Sequence, residues 1–233
     1  MSMSMLSGAA YALSALCAMS AGTSGSAGVR MSYLGRSTVK LVGSDGFVVY
    51  IDPYAAGDYS DKADLVLVTH GHFDHNAVSK VGLKPGAVVA APKGAVSGTY
   101  RAVREGDSFS VGSVQVLCVP AYNKNHARTS TVGYVVTIDG VVVYHAADTS
   151  FIPEMADLAA LRIDYALFPT DGQWNMDGAE ATRCAEAVRP RFAVAIHSSP
   201  IGSYDEARAA RLTYDKTLKI APGQTVTLTG QSG

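Results

Sequence analysis

Charge is scarce and balanced. Nineteen Lys and Arg stand against 20 Asp and Glu in 233 residues, a formal net charge of −1 with histidine neutral. With no basic excess, the composition does not call for a nucleic-acid partner, whose phosphates are answered by Lys and Arg. Cysteine is nearly missing. Cys17, Cys118 and Cys184 share no C-x-x-C spacing, which argues against a cysteine-based zinc or dithiol motif and implies no disulfide framework. They read as small buried apolar residues. No run reaches the ~18 continuous apolar residues of a membrane span, so no integral membrane segment is expected in the mature domain. Charge is wholly absent from residues 1–29; Arg30 is the first. This leader has a moderately apolar centre and loose cleavage-like triplets at Ala18-Met19-Ser20 and Gly25-Ser26-Ala27, but no basic start. It reads either as a signal peptide or as a disordered tail, so the chain is either exported (periplasmic or secreted) or cytoplasmic.

What is present is core material. The chain is 48% hydrophobic and 17% charged, enough for one substantial domain, placed at 30–233. Short strand-like runs open it: "VRMSYLG", "STVKLVG", then "FVVYIDP" after a "SDG" turn. "ADLVLVTH" is continuously apolar, as a strand buried on both faces reads. "GAVVAAP" follows, then two strands in "DSFSVGSVQVLCVPAYN". The segment "VGYVVTIDGVVVYHAADT" predicts a hairpin about Asp139-Gly140. "DYALFP" and "FAVAIH" are late buried strands, and "QTVTLTG" a terminal one. Helices are predicted in "NAVSKVG", in "IPEMADLAAL" with Pro153 in its first turn, in "DGAEATRCAEAV" with Asp177 as N-cap, and in "SYDEARAARLTY". Strands followed by alternating strands and helices predict an α/β domain with two mixed β-sheets flanked by helices.

The stretch "VLVTHGHFDHN" holds three of the six histidines. His70 ends a buried strand, and His72, Asp74 and His75 follow in the loop. Loops at strand ends can aim side chains at a common point. Imidazole nitrogens and carboxylate oxygens bind divalent cations, zinc above all. Three imidazoles crowded together without a metal would repel when charged and need several buried hydrogen bonds when neutral. Other apolar runs end in the same chemistry: His126 follows "VQVLCVP", Asp148 follows "VVVYH", and His197 follows "FAVA".

"THGHFDH", then His126, "ADT" at Asp148, and His197 together resemble the metallo-β-lactamase superfamily of dinuclear metallohydrolases, over about Met31 to Ile201. "VPAYN", "GYVV", "ADTSFIPEM" and "NMDGAEA" look like a branch similar to ascorbate-lactonase-like and N-acyl-phosphatidylethanolamine phospholipase D-like hydrolases. The resemblance implies a four-layer αββα sandwich with the site at one edge between the sheets. It also implies two divalent metal ions, zinc first, with Mn2+ or Fe2+ allowed by the donor types. His70, His72 and His126 would hold the first ion, and Asp74, His75 and His197 the second. Asp148 would bridge them.

Two such ions can share a water, lower its pKa and let it attack a small ester, lactone, amide or phosphodiester. Asp74 and His75 would be the catalytic pair as well as ligands, with Asp74 orienting the water. Asp52 and Thr69 could hold ligand imidazoles by their outer nitrogens. His145 matches no ligand position. Arg36 stands where similar proteins often have histidine, and Ala147 where they have glycine. Tyr122, Asn123, Arg128, Trp174 and Ser198 are candidate pocket residues. Two other functions compete: a diiron-type redox enzyme, which His72 disfavours because a carboxylate is usual there, and a non-catalytic binding protein on the same fold. The expected partner is a small-molecule substrate; oligomeric state is open.

Overall fold

A computed structural model describes residues 28–231; the leader, with Cys17 and both candidate cleavage triplets, lies almost wholly outside the described residues. Two sheets make up the architecture. The first holds β1 (Val29–Gly35), β2 (Thr38–Val42), β3 (Val48–Ile51), β4 (Ala63–Leu67), β5 (Leu83–Pro92), β6 (Arg101–Val103) and the C-terminal β13 (Thr225–Leu228), in the order β13-β1-β2-β3-β4-β5-β6. The second holds β7 (Ser108–Val111), β8 (Val114–Pro120), β9 (Val132–Ile138), β10 (Val141–His145), β11 (Tyr165–Pro169) and β12 (Phe192–Ile196), in the order β12-β11-β10-β9-β8-β7. Each sheet is mixed. β3 to β6 are parallel, as are β10 to β12, while the remaining pairs are antiparallel.

Side-chain alternation divides the core. Leu65 and Leu67 of β4 face inward with Met31, Tyr33, Val136 and Val194, filling the space between the sheets. Val66 and Val68 face the other way, with Tyr50, Ala63 and Ala91. The outer face of the second sheet packs under helix α1 (Gly178–Val188) and a 3₁₀ helix, Pro153–Leu161, through Met155, Leu158, Ala181 and Cys184. Cys118 and Cys184 are buried free thiols. The Asp139-Gly140 hairpin forms with both central residues at positive φ (48° and 75°), as a primed two-residue turn requires. Asp177 caps α1 by accepting from the Glu180 N–H. Among the described residues, no helix is long and apolar enough to cross a membrane.

Three helix expectations are corrected. "NAVSKVG" forms only a 3₁₀ turn at Val78–Lys80. Its backbone and side chains are committed elsewhere: the Ala77 N–H donates to Pro53 O, and Asn76 Nδ2 donates to Gly71 O and Ala95 O. "IPEMADLAAL" is 3₁₀ rather than α. Its apolar residues Ile152, Met155, Leu158 and Leu161 recur every third position and so fall on one face of a three-residue turn. "SYDEARAARLTY" yields only α2 (Glu206–Ala209), capped by Asp205. The short strand β6 adds to the expected strands; "RAV" has one buried residue and no alternation to mark it in the sequence.

Candidate metal centre

The parallel strands deliver the site. β3 ends before Asp52, β4 before Thr69 and His70, β10 before Asp148, β11 before Asp171, and β12 before His197. Each strand therefore releases a polar residue at its carboxyl end, where backbone hydrogen bonding stops and side chains are free to converge. His126 joins from the loop between β8 and β9.

The convergence falls into overlapping groups, His70/His72/His126, Asp74/His75/His197 and His70/His75/Asp148, within each of which one donor atom per residue lies within 4.8 Å of the others. In the first group His70 Nε2 is 3.1 Å, and His126 Nε2 3.2 Å, from His72 Nδ1. In the second, Asp74 Oδ1 is 3.7 Å from His75 Nε2, and Asp74 Oδ2 is 3.6 Å from His197 Nε2. Asp148 Oδ2 stands between the groups, 3.3 Å from His126 Nε2, 3.5 Å from His75 Nε2 and 3.7 Å from His197 Nε2. His72 is exposed, whereas the other six are buried.

The outer nitrogens are held from behind. Asp52 Oδ2 lies 2.7 Å from His75 Nδ1 and accepts from Thr69 Oγ1 at 2.7 Å. With its proton given to Asp52, the Thr69 oxygen accepts from His70 Nδ1 at 3.0 Å. That fixes the His70 tautomer with Nε2 unprotonated and turned inward. Asn123 Oδ1 accepts from His126 Nδ1 at 2.9 Å, and its amide donates to Asn175 Oδ1 and Trp174 O. Asp171, which sequence reasoning missed, faces His197 Nδ1 at 3.3 Å and collects backbone N–H groups of Gln173 and Trp174. Its position two residues past the buried run "YALFP" was the available signal, similar to the one that marks His70 and His197.

Electrostatics sort the imidazoles. Burial, followed by neighbouring imidazoles, holds His70 and His72 below the ordinary histidine value. Burial would depress His75 and His197 too, but carboxylates outweigh it. Asp148 and Asp52 raise His75 well above its usual range, and Asp148, Asp171 and Asp74 push His197 up to about 9. Asp74 and Asp148 stay ionised despite burial, because their histidine partners and, at Asp74, Arg36 favour the charged form.

A cation fits this donor set. His75 Nε2, His197 Nε2 and Asp148 Oδ1 are buried and make no hydrogen bond. Buried polar atoms ordinarily find partners, and these three belong to the side chains on which the groups converge.

Other expectations fall differently. His145 is not a donor to the centre: Nε2–H donates to Ser37 O at 2.9 Å, and Nδ1 accepts from the Ala147 N–H at 3.2 Å. It braces the turn in which Ala147 sits at φ 62° before Asp148. Arg36 is buried with Nη2 2.5 Å from Asp74 Oδ2. A cleft of about 200 Å³ adjoins His70, His72 and His126, and one of about 540 Å³ adjoins Arg36, Phe73 and Ile201. None of Tyr122, Asn123, Arg128, Trp174 and Ser198 lines either cleft. Arg128 pairs with Glu105 and Glu154, Tyr122 donates to Glu154, and Ser198 accepts from the Asp205 N–H.

Residues 30–197 match the beta-lactamase superfamily domain family. A metal-dependent hydrolase of Pyrococcus furiosus is 30% identical over 227 residues, covering 86% of this chain and all of the relative. The crystal structure of a candidate metal-dependent hydrolase from Parabacteroides distasonis superposes with a TM-score of 0.70 at 27% identity, covering 82% of this chain and 92% of that one. A diiron β-hydroxylase from Streptomyces venezuelae shares the fold at a TM-score of 0.66 and 17% identity, covering 86% of this chain and 54% of the other. Matched motif, two-sheet architecture and near full-length likeness agree: this chain belongs to the metallo-β-lactamase superfamily.

Proposed function

We propose that the chain is a metal-dependent hydrolase that works through a dinuclear, zinc-type centre on a small ester, lactone, amide or phosphodiester. The observation that carries this is Asp148: one carboxylate oxygen faces imidazole Nε2 atoms of both groups at 3.3–3.7 Å. His70, His72 and His126 would hold one ion and Asp74, His75 and His197 the other, with Asp148 between. Bound there, the ions would supply Lewis-acid activation of a water and of the electrophile.

The remaining work belongs to the chain. Asp52, Thr69 and Asn123 hydrogen-bond His75, His70 and His126, and the Asp171 carboxylate faces His197 Nδ1 at 3.3 Å, so the imidazoles are oriented before the reaction begins. Asp74, kept ionised, accepts a hydrogen bond from the attacking water and orients it. His75, pinned to Asp52, keeps its Nε2 facing the centre. The fold also supports diiron chemistry in the Streptomyces hydroxylase, but that likeness is one of fold alone, and the three-imidazole group with His72 favours hydrolysis.

Elemental analysis of the purified protein, followed by a panel of chromogenic phosphodiesters, lactones, esters and amides, tests the proposal. About two divalent ions per chain and turnover abolished by chelation are expected. Turnover that survives complete chelation rejects it, and iron with oxygen-dependent turnover would favour the redox reading.

A further inference from the structure

Arg36 turns an ordinary β1–β2 connection into part of the site. Its φ of 50° and the hydrogen bonds of its own backbone, N–H to Ser203 O at 2.8 Å and O from the His197 N–H at 2.7 Å, fix where the side chain starts. The guanidinium is then tied at both ends. Nη1 donates to Ser199 O at 2.6 Å and Gly202 O at 3.3 Å, and Nη2 reaches Asp74 Oδ2 at 2.5 Å. That oxygen is the same one that faces His197 Nε2 at 3.6 Å. A permanent, buried cation therefore shares a donor with one of the two groups. Among the described residues no buried cation is paired with His70, His72 or His126: Asp148 meets His126, and Lys93, which lines the adjoining cleft, is exposed to solvent.

Resting on the metal centre proposed above, we infer that Arg36 is a positioning residue that competes with a divalent ion for Asp74, so that the Asp74/His75/His197 group is the weaker of the two. The physical reason is charge. A second cation entering beside an arginine gains less from a carboxylate that the arginine already neutralises, and is repelled by it in a poorly solvated site. Because Arg cannot lose its proton, this handicap persists at every working pH. The chain would thus hold one ion firmly and admit the second at a higher free concentration.

Stepwise Zn2+ titration of the metal-free full chain against a chromogenic chelator tests this without reference to activity. In the unmodified protein the second step should be at least about tenfold weaker than the first. Arg36→Gln, which keeps a donor for the loop carbonyls but removes the charge, should tighten the second step about tenfold and leave the first within about threefold. Arg36→Lys should preserve the separation. Equal steps in the unmodified protein overturn the inference, and that measurement needs no variant to fold. An Arg36→Gln second step that is unmoved or weaker, as loss of a mere strut would make it, overturns it as well. A single Zn2+ step in the unmodified protein and in Arg36→Gln alike overturns the inference, whereas failure to bind any Zn2+ removes the metal centre itself, a distinct result.

Discussion

Asp52 Oδ2 serves two elements at once: it lies 2.7 Å from His75 Nδ1 and accepts the Thr69 hydroxyl at the same distance, so one buried carboxylate sets the orientation of His75 directly and of His70 through Thr69. Asp171 stands beside His197 as a charge partner, 3.3 Å from Nδ1.

Asp52→Asn keeps shape and tolerates the positive φ of 49° at this position, but it removes the charge that faces His75. Metal affinity is expected to fall about 10–100-fold. Asp171→Ala should produce a loss of similar size confined to the group containing His197. Chelator competition on both variants checks this, and an unchanged affinity in Asp52→Asn contradicts the assigned support.

Asp148→Asn replaces a carboxylate facing three imidazoles with a neutral amide. Turnover on any substrate found by the panel is expected to drop at least about 100-fold, with the far-ultraviolet dichroism spectrum unchanged. Substantial turnover in a folded Asp148→Asn protein would show that the carboxylate is not central.

The metal-free protein should lose stability on the alkaline side. His197 is raised from 6.5 to about 9, and His75 is raised in the same direction by Asp148 and Asp52. A histidine whose folded pKa lies above its unfolded value contributes stability that is fully present below about 6.5 and is lost as pH rises through the folded value. The stability of chelated protein should therefore decline between about pH 7 and 9.5, at up to roughly 1.4 kcal/mol per pH unit per proton, read as a falling melting temperature. Loading with Zn2+ displaces those protons and should flatten this arm. A metal-free melting temperature that is constant across the interval refutes the assignment.

Ala147→Gly relieves a side chain from a left-handed position at φ 62°. Relief of strain on the order of 1 kcal/mol competes with the added freedom of glycine in the unfolded chain. A net gain of about 1 kcal/mol or less is expected, read as a rise of a few degrees in melting temperature at most. A fall of several degrees would mean that the turn beside Asp148 depends on the methyl group.

Periodicity and turn chemistry carried much of the fold. Asp139-Gly140 demanded a primed hairpin, and "ADLVLVTH" announced a strand buried on both faces; both are local properties that the chain cannot disguise. Helical type was less legible, since the three-residue repeat of Ile152, Met155, Leu158 and Leu161 can be mistaken for part of an α-helical stripe. The candidate donors at 70, 72, 74, 75, 126, 148 and 197 could be named because His70 and His197 end apolar runs, the others stand in loops that follow such runs, and their order and spacing resemble the metallo-β-lactamase superfamily.

The sequence by itself determined the inventory: strands, their polar terminal residues, and a motif dense in imidazole. Only the tertiary structure decided who supports whom. Asp171 and His197 are 26 positions apart and meet because β11 and β12 are parallel neighbours, while Arg36 and Asp74 meet across 38. Local preference acts over a few residues, whereas pairing of buried charges depends on which strand ends the sheets bring to one edge, and no short window of sequence encodes that.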